Sequence, residues 1–527
     1  MKRVLIVFVW FAIRKNWETD GARILGIFPT AAYSHQRVFH ALMLALNKRG
    51  HEIVMLTTHP VGDPTLRNFT EIDLGFAREH LPDVNYIEWR RTSSWVDIVP
   101  KVFDGMGSAV VSIFEDPNVR KLYESEVQRF DVVFVEVFCW HAMYSFAWRF
   151  NAPLIGVTSL GESSLNRYSI GEPVMTSHPS MWELQRRSGI NLPFWKRVVN
   201  FVEVWRLIYD IRANYMGELD RLARKYLGHD MPYIGDIEKN MSLLMVNQQL
   251  PISEAALIAP KVVYIGGIQV ELKKPPPLPE DLQKFLDDAN EGFIYASLGS
   301  TVTNNMLPME TKELFYEVFS GLPWRVLWKA SENSFLEKKG NVRIVEWVSQ
   351  KKVLAHPNIK LFIYQGGLQS TEEAINNSVP LLGMPILADQ DWQVSKLVSL
   401  GVARCLEIID LKRSEFEEAI RDLIINPRYK KRMVELHSLI ADKPSESWET
   451  AVWWTEYVIR HKGDMSHLHS TTADEPWHQR FDRDIIAFFA SIATLAAILI
   501  SFIVINISRR IFLAATSARS SKKSKTN

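Results

Sequence analysis

The runs "RILGIFP" (residues 23–29), "FDVVFVEVF" (130–138), "APLIGVTS" (152–159) and "IKLFIY" (359–364) are apolar along nearly their whole length, not on alternate residues. A strand with one wet face alternates apolar and polar side chains, whereas one covered on both faces has no need to. Such runs therefore predict parallel sheets sandwiched between helices. Between the first run and the next, "HEIVMLTT", the stretch "HQRVFHALMLALNKRG" has helical spacing and closes at Gly50, which makes a βαβ start. The pattern breaks at "ELKKPPPLPEDLQKF", where Pro275, Pro276, Pro277 and Pro279 with flanking charge predict a stiff linker. It then resumes through "GFIYASLGS", "WRVLWKA", "VRIVEWV", "IKLFIYQGG" and "VPLLGMP". Two α/β domains are expected, at 22–272 and 291–440, joined by a linker at 273–290, with helices at 441–484 returning towards the first domain.

A chain of 527 residues exceeds what one core usually serves, which agrees with two domains. Its formal net charge of +1 gives a polyanion such as nucleic acid nothing to bind, so a small ligand is expected. The two cysteines, Cys139 and Cys405, fall in different halves and form neither a disulfide framework nor a metal spacing. A membrane receptor or adhesion protein would carry paired cysteines and short alternating strands, and this chain has neither pattern.

Both ends carry addresses. Residues 1–21 read as a signal peptide, with a basic start and an apolar run from Val4 to Ile13 too short to span a bilayer; a buried first strand is the alternative. Residues 485–507 hold no charge and are long enough for a transmembrane helix. Arg509, Arg510, Arg519, Lys522, Lys523 and Lys525 follow, so the 508–527 tail is expected in the cytosol and the body in the lumen, a single-pass type I topology. The ending "KSKTN" resembles a dilysine retrieval signal of the endoplasmic reticulum. Sequons at Asn68 and Asn240 would then meet the glycosylation machinery, while Asn376 falls inside a helix.

The stretch "FIYQGGLQSTEEAI" (362–375) places two glycines and small hydroxyls where a buried strand gives way to a helix. Unpaired amides at a helix start point outward with partial positive charge, and glycines let an anion approach the backbone, a geometry that binds phosphate. The pattern is neither the dinucleotide fingerprint nor the NTPase loop. Taken alone, it serves a plain strand-to-helix turn equally well.

The wider stretch "NVRIVEWVSQKKVLAHPNIKLFIYQGGLQSTEEAINNSVPLLGMPILADQDWQ" resembles the donor signature of the membrane-bound animal UDP-glycosyltransferases, closest in motif to arthropod members. "SHQRVF", "YASLGS", "WWTEYVIRHKG" and the terminal anchor extend the resemblance over nearly the whole chain. It implies a GT-B fold, two Rossmann-like domains facing across a cleft. It implies also an inverting transfer of a hexose, glucose by the arthropod pattern, from a UDP-sugar to a hydroxyl of a small lipophilic acceptor. No metal and no cofactor beyond that co-substrate are implied, and a homo-oligomer is left open. By position in the signature, Trp347 would stack on uracil, Gln350 would bond the nucleoside, and Glu373 would take the ribose hydroxyls. Ser300, Gly367, Gln369 and Ser370 would surround the diphosphate, and Asp389 and Gln390 would hold the transferred sugar. Trp347 fits core packing equally well, and Glu373 fits a helix-dipole partner.

Two departures stand out. Many members have histidine where this chain has Gln365, after Tyr364, so a neutral amide must replace the imidazole at the phosphate. His35 in "YSHQRVF", in the loop after the first strand, matches the general base, but its orienting aspartate is replaced by Glu136, with Asp131 as a weaker candidate. A catalytically weak or inactive lumenal binding protein on the same fold is the alternative reading. "DQD" at 389–391 also has the form of a D-x-D metal motif, which is set aside because no further carboxylate or histidine stands nearby to complete an oxygen-rich site. The stretches "SLNRYSIGEPVMTSHPSMWELQ" and "INLPFWKRVVNFVEVWRLIYDI" suit a lipophilic acceptor pocket, the second as a helix packed in the core or facing a membrane.

Overall fold

A computed structural model describes residues 21–524 apart from 81–83, 93–94, 188, 190, 272–276, 301, 303–305 and 331–339. The expected signal peptide, Pro275, Pro276 and Lys525 lie outside the described residues. Residues up to His469 form one compact unit and those from Ser470 another.

The first unit contains two parallel sheets. Strands β1 (Arg23–Phe28), β2 (Glu52–Thr57), β3 (Phe69–Asp73), β4 (Val132–Glu136), β5 (Leu154–Thr158), β6 (Leu243–Val246) and β7 (Val262–Tyr264) lie in the order β3-β2-β1-β4-β5-β6-β7. Strands β8 (Phe293–Ser297), β9 (Arg325–Lys329), β10 (Val342–Val345), β11 (Ile359–Tyr364), β12 (Leu381–Gly383) and β13 (Ala403–Cys405) lie in the order β10-β9-β8-β11-β12-β13. Neighbours run parallel throughout, as the continuous apolar runs require. Leu25 and Ile27 of β1 enter one core while Ile24 and Phe28 enter another on the opposite face. In β8, Ile294 and Ala296 part in the same way from Phe293 and Tyr295. In each sheet the strand order reverses once, between β1 and β4 and between β8 and β11. At such a reversal the loops leave in opposite directions and open a crevice beyond the carboxyl ends of the strands, where ligands of open α/β sheets bind.

The helices that position this crevice are α1 (Tyr33–Lys48), α2 (Tyr86–Thr92), α3 (Phe194–Asp210), α4 (Glu280–Asp287), α5 (Leu368–Asn376), α6 (Gln390–Ser399) and α7 (Ser447–Arg460). Helix α7 puts Ala451, Val452 and Val458 into the same core as Ile24 and Phe28 of β1. The linker is shorter than the prolines suggest. Pro279 caps α4, and Leu282 and Leu286 pack with Phe293 and Tyr295, so the second domain begins inside the expected 273–290 linker. Proline suits a helix start, where its missing N–H costs nothing. Helix α3 also departs from core packing. Asn200, Val204, Leu207 and Ile208 face the body, but Phe194, Trp195, Val199, Phe201, Val202 and Tyr209 are exposed, an apolar stripe opposite the packed one.

In the second unit, helix α8 (Arg483–Ser524) contains the apolar 485–507 stretch and is long and apolar enough to cross a membrane. It continues through the part of the basic tail that the structure describes.

Candidate active site

The first domain brings His35, Ser159 and Glu136 together at the carboxyl ends of β1, β5 and β4. His35 is the third residue of α1, in the first turn of the helix that follows β1. Its Nδ1 lies 2.7 Å from the Ser159 hydroxyl and 3.7 Å from Glu136 Oε1. The latter is an ion-pair distance and too long for a hydrogen bond. The expected Glu136 partner is therefore adjacent, but Ser159 makes the hydrogen bond. Glu136 is wholly buried, and its other oxygen accepts from the Thr30 N–H at 3.3 Å. Asp131 precedes β4, where its carboxylate accepts from the Arg23 N–H at 2.7 Å, at the opposite end of the strand from His35. With Nδ1 turned to Ser159 and Glu136, Nε2 is the nitrogen left for a proton acceptor.

The second domain supplies the corner after β11. Gly367 is the N-cap of α5 and offers no side chain, so the helix begins at Leu368, and Ser370 lies in its first turn and not at the cap. The first-turn amides keep their outward positive end, equivalent to roughly half a charge. Gly299 and Gly366 have φ of 85° and 92°, and a Cβ on either would meet Gln365 Nε2 at 2.5 Å or Val394 at 2.6 Å. These glycines thus permit both the turns and the close packing of Gln365. Tyr364 turns inward, its hydroxyl 2.8 Å from Thr371.

A cavity of about 490 Å³ is lined by Ser300, Trp347, Gln350, Gln365, Gly367, Gln369 and Ser370 from the second domain, and by Tyr33, Ser34 and Arg37 of α1 from the first. Trp347 is 60% exposed and so is not core. The edge of Tyr33 meets it at 5.5 Å between centroids, and Lys329 Nζ stands 4.4 Å from the ring centre. Gln350 Nε2 donates to Ser370 Oγ at 2.9 Å and to Glu373 Oε2 at 2.8 Å. The other Glu373 oxygen is paired with Arg37. Arg37 carries no sequence signal of its own, because its partner lies in the other domain.

The adjacent carboxylates Glu372 and Glu373 take different partners, and Glu373 still adds to the rise of the Glu372 carboxyl. Glu372 is buried against the first domain, where Gln269 Nε2 and Asn247 Nδ2 donate to Oε2. Burial pushes its carboxyl up to about 8, against those hydrogen bonds. Gln369 also reaches across: its amide donates to the Ser159 carbonyl at 2.7 Å, so one of its hydrogens is directed at the first domain and not at the cavity.

Asp389 caps α6 and Gln390 is its first residue, and both are buried. Ala388 precedes them at φ 55°, a left-handed conformation that costs a non-glycine residue on the order of 1 kcal/mol. Gln390 Oε1 accepts from the N–H groups of Ile386 and Leu387 at 2.9 and 3.0 Å, which ties the loop to itself and leaves the amide hydrogens as its donors. Burial raises the Asp389 carboxyl to about 6, opposed by a bond from Gln393 and by the nearby charge of His35. His35 and Asp389 are thus close enough to interact electrostatically. Asp391 turns away to Arg90, so the two aspartates of "DQD" do not converge, and among the described residues no group of three or more His, Cys, Asp or Glu side chains could hold a metal.

The family model described as "UDP-glucoronosyl and UDP-glucosyl transferase" matches residues 23–517. The chain belongs to this family. It is 34% identical over 492 residues to UDP-glucosyltransferase 2 of Dactylopius coccus, covering 92% of each chain. It is 30% identical over 495 residues to the ecdysteroid UDP-glucosyltransferase of Spodoptera littoralis nuclear polyhedrosis virus, covering 90% of this chain and 94% of the other. Among solved structures, the glycosyltransferase of kitacinnamycin superposes with a TM-score of 0.55 at 19% identity, over 84% of this chain and 99% of that one. LpCGTa in complex with UDP superposes at 0.53 and 15%, with the same coverage. The fold is GT-B, and the protein is a UDP-glycosyltransferase that uses a UDP-sugar donor.

Proposed function

We propose that this UDP-glycosyltransferase moves a hexose, glucose in the first instance, to a hydroxyl of a small lipophilic acceptor, with inversion and with His35 as general base. The observation that carries the reading is His35, whose Nδ1 is held by Ser159 beside the buried Glu136. In this mechanism His35 Nε2 takes the acceptor's proton as its oxygen attacks the anomeric carbon, and UDP leaves towards the α5 amides and Gln365. Glu136 stabilises the imidazolium as it forms, and Ser159 holds the ring plane. Base catalysis of this kind contributes about 10² to 10⁴-fold. The names of the relatives, glucosyl transfer and an ecdysteroid acceptor among them, favour glucose and an acceptor of steroid size. A binding protein without turnover would have no need of a histidine held in this way.

The donor contacts follow the same reading. Trp347 offers its exposed ring to uracil, and Glu373 exchanges Arg37 for the ribose hydroxyls. Ser300, Gly367, Ser370 and Gln365 take the diphosphate, and Asp389 and Gln390 take the sugar. The span at 485–507 would hold the protein in the endoplasmic reticulum membrane with its body in the lumen. The test is direct: microsomes containing the chain are incubated with several UDP-sugars and a panel of phenols and steroids, and conjugates are sought by mass. Glucosides formed only with UDP-glucose are expected; conjugates of another sugar would replace the donor assignment, and none from any donor would refute the reading.

A further inference from the structure

Helix α2 belongs to the first domain by sequence but enters the second. Ile87 is buried in the second domain's core with Tyr86 packed against it. Three residues on, the Arg90 guanidinium makes two forks. Its Nη1 and Nη2 donate to Asp391 at 2.9 and 3.2 Å, and its Nε and Nη2 donate to Glu407 at 2.8 Å each. The side chains of Arg90 and Asp391 are only 9% and 3% exposed. Paired forks of this kind fix direction as well as distance. Nη1 also reaches the carbonyl of Ile386 at 3.5 Å.

Asp391 follows Asp389 and Gln390 directly in the first turn of α6, and Ile386 opens the loop that leads into that turn. The loop is also gripped on its far side, where Trp392 donates its indole N–H to the Pro179 carbonyl, and Leu387 and Ala388 pack against the first domain's core. The strained Ala388 lies between these two holds. We propose that Arg90 is a positioning residue for the donor sugar: from the first domain it holds the 386–389 loop and the first turn of α6 in the shape that presents Asp389 and Gln390. The sugar subsite is then a product of both domains, while the uridine subsite belongs mainly to the second. This rests on the reading that Asp389 and Gln390 hold the sugar.

The test separates sugar from nucleotide. Arg90→Met and the gentler Asp391→Asn are made in the full chain, and KM for UDP-glucose, kcat and the inhibition constant of UDP are measured. Both variants are expected to raise KM for UDP-glucose on the order of tenfold or more, with UDP inhibition changed less than twofold, and Arg90→Lys, which keeps the charge but loses the forks, should fall between. A merely structural role would weaken UDP and UDP-glucose together, and that result, or no change in either, would overturn the proposal. Asp389→Asn tests the reading beneath. If it raises KM for UDP-glucose while Asp391→Asn and Arg90→Met do not, the inference alone fails; if Arg90→Met raises it while Asp389→Asn and Gln390→Ala do not, the sugar assignment of that pair fails and the role of the loop stands.

Discussion

At the scale of single residues, the base is the place where sequence and structure diverge most usefully. His35 was identifiable because "SHQRVF" is a local motif, but Ser159 is 124 positions away and carries no pattern beyond ending a strand. Only the strand order, with β5 beside β4, brings it to the ring. Arg37 has no local pattern for the same reason, since its partner Glu373 belongs to the other domain. His35→Ala should lower turnover by about 10² or more while UDP affinity, measured by inhibition, stays nearly constant. Ser159→Ala should cost less, and Glu136→Gln should add little to His35→Ala in the double variant, because groups acting through one imidazole are non-additive. Multiplying losses would detach Glu136 from the base. Asp389 adds a pH dependence. Its carboxyl, raised to about 6 by burial, is charged above that pH and accepts sugar hydroxyls best there. KM for the UDP-sugar should therefore rise as pH falls through about 6, and Asp389→Asn should flatten that dependence; an unchanged slope in the variant would assign it elsewhere.

At the scale of elements, the strands were readable because burial on both faces leaves runs with no polar interruption. Helix starts were less so. The cap of α5 is a glycine, and the hydroxyls of Ser370 and Thr371, usual cap types, lie inside the helix. Pro279 read as linker yet begins α4. Helix α5 also joins the domains through Glu372, and this gives a stability prediction. Burial raises Glu372 from 4.5 to about 8, so the folded state favours the protonated form. The stabilisation is fully present below about pH 4.5 and is lost as pH rises through about 8. At roughly 1.4 kcal/mol per unit of pKa, the loss across that range is on the order of a few kcal/mol. The thermal midpoint of the first unit should fall between about pH 4.5 and 8 and level off above that, and Glu372→Gln, neutral at every pH, should flatten the fall. A variant with the parent's slope would show that Glu372 does not control it.

At the scale of the whole molecule, the two sheets and the apolar C-terminal helix were both visible in the sequence, since domain count follows from length and the span from composition. The cleft between the sheets was not, because it is made by pairs such as Gln369 with Ser159 and Arg90 with Asp391, each joining segments more than 200 residues apart. The orientation of the chain at a membrane rests on a different asymmetry. Arg509 and Arg510 follow the apolar stretch 485–507 directly, and basic residues beside a span are retained on the cytosolic side. The body, with the exposed sequon residues Asn68 and Asn240, should then be enclosed in the lumen. Protease added to sealed microsomes should remove an epitope placed after Asn527 and leave the body at full size, and glycosidase treatment should shift that body only if the sequons were modified in the lumen. Adding detergent with the protease should expose the body and degrade it. Loss of the body from sealed vesicles, with the epitope protected, would reverse the orientation and place the donor site on the cytosolic face.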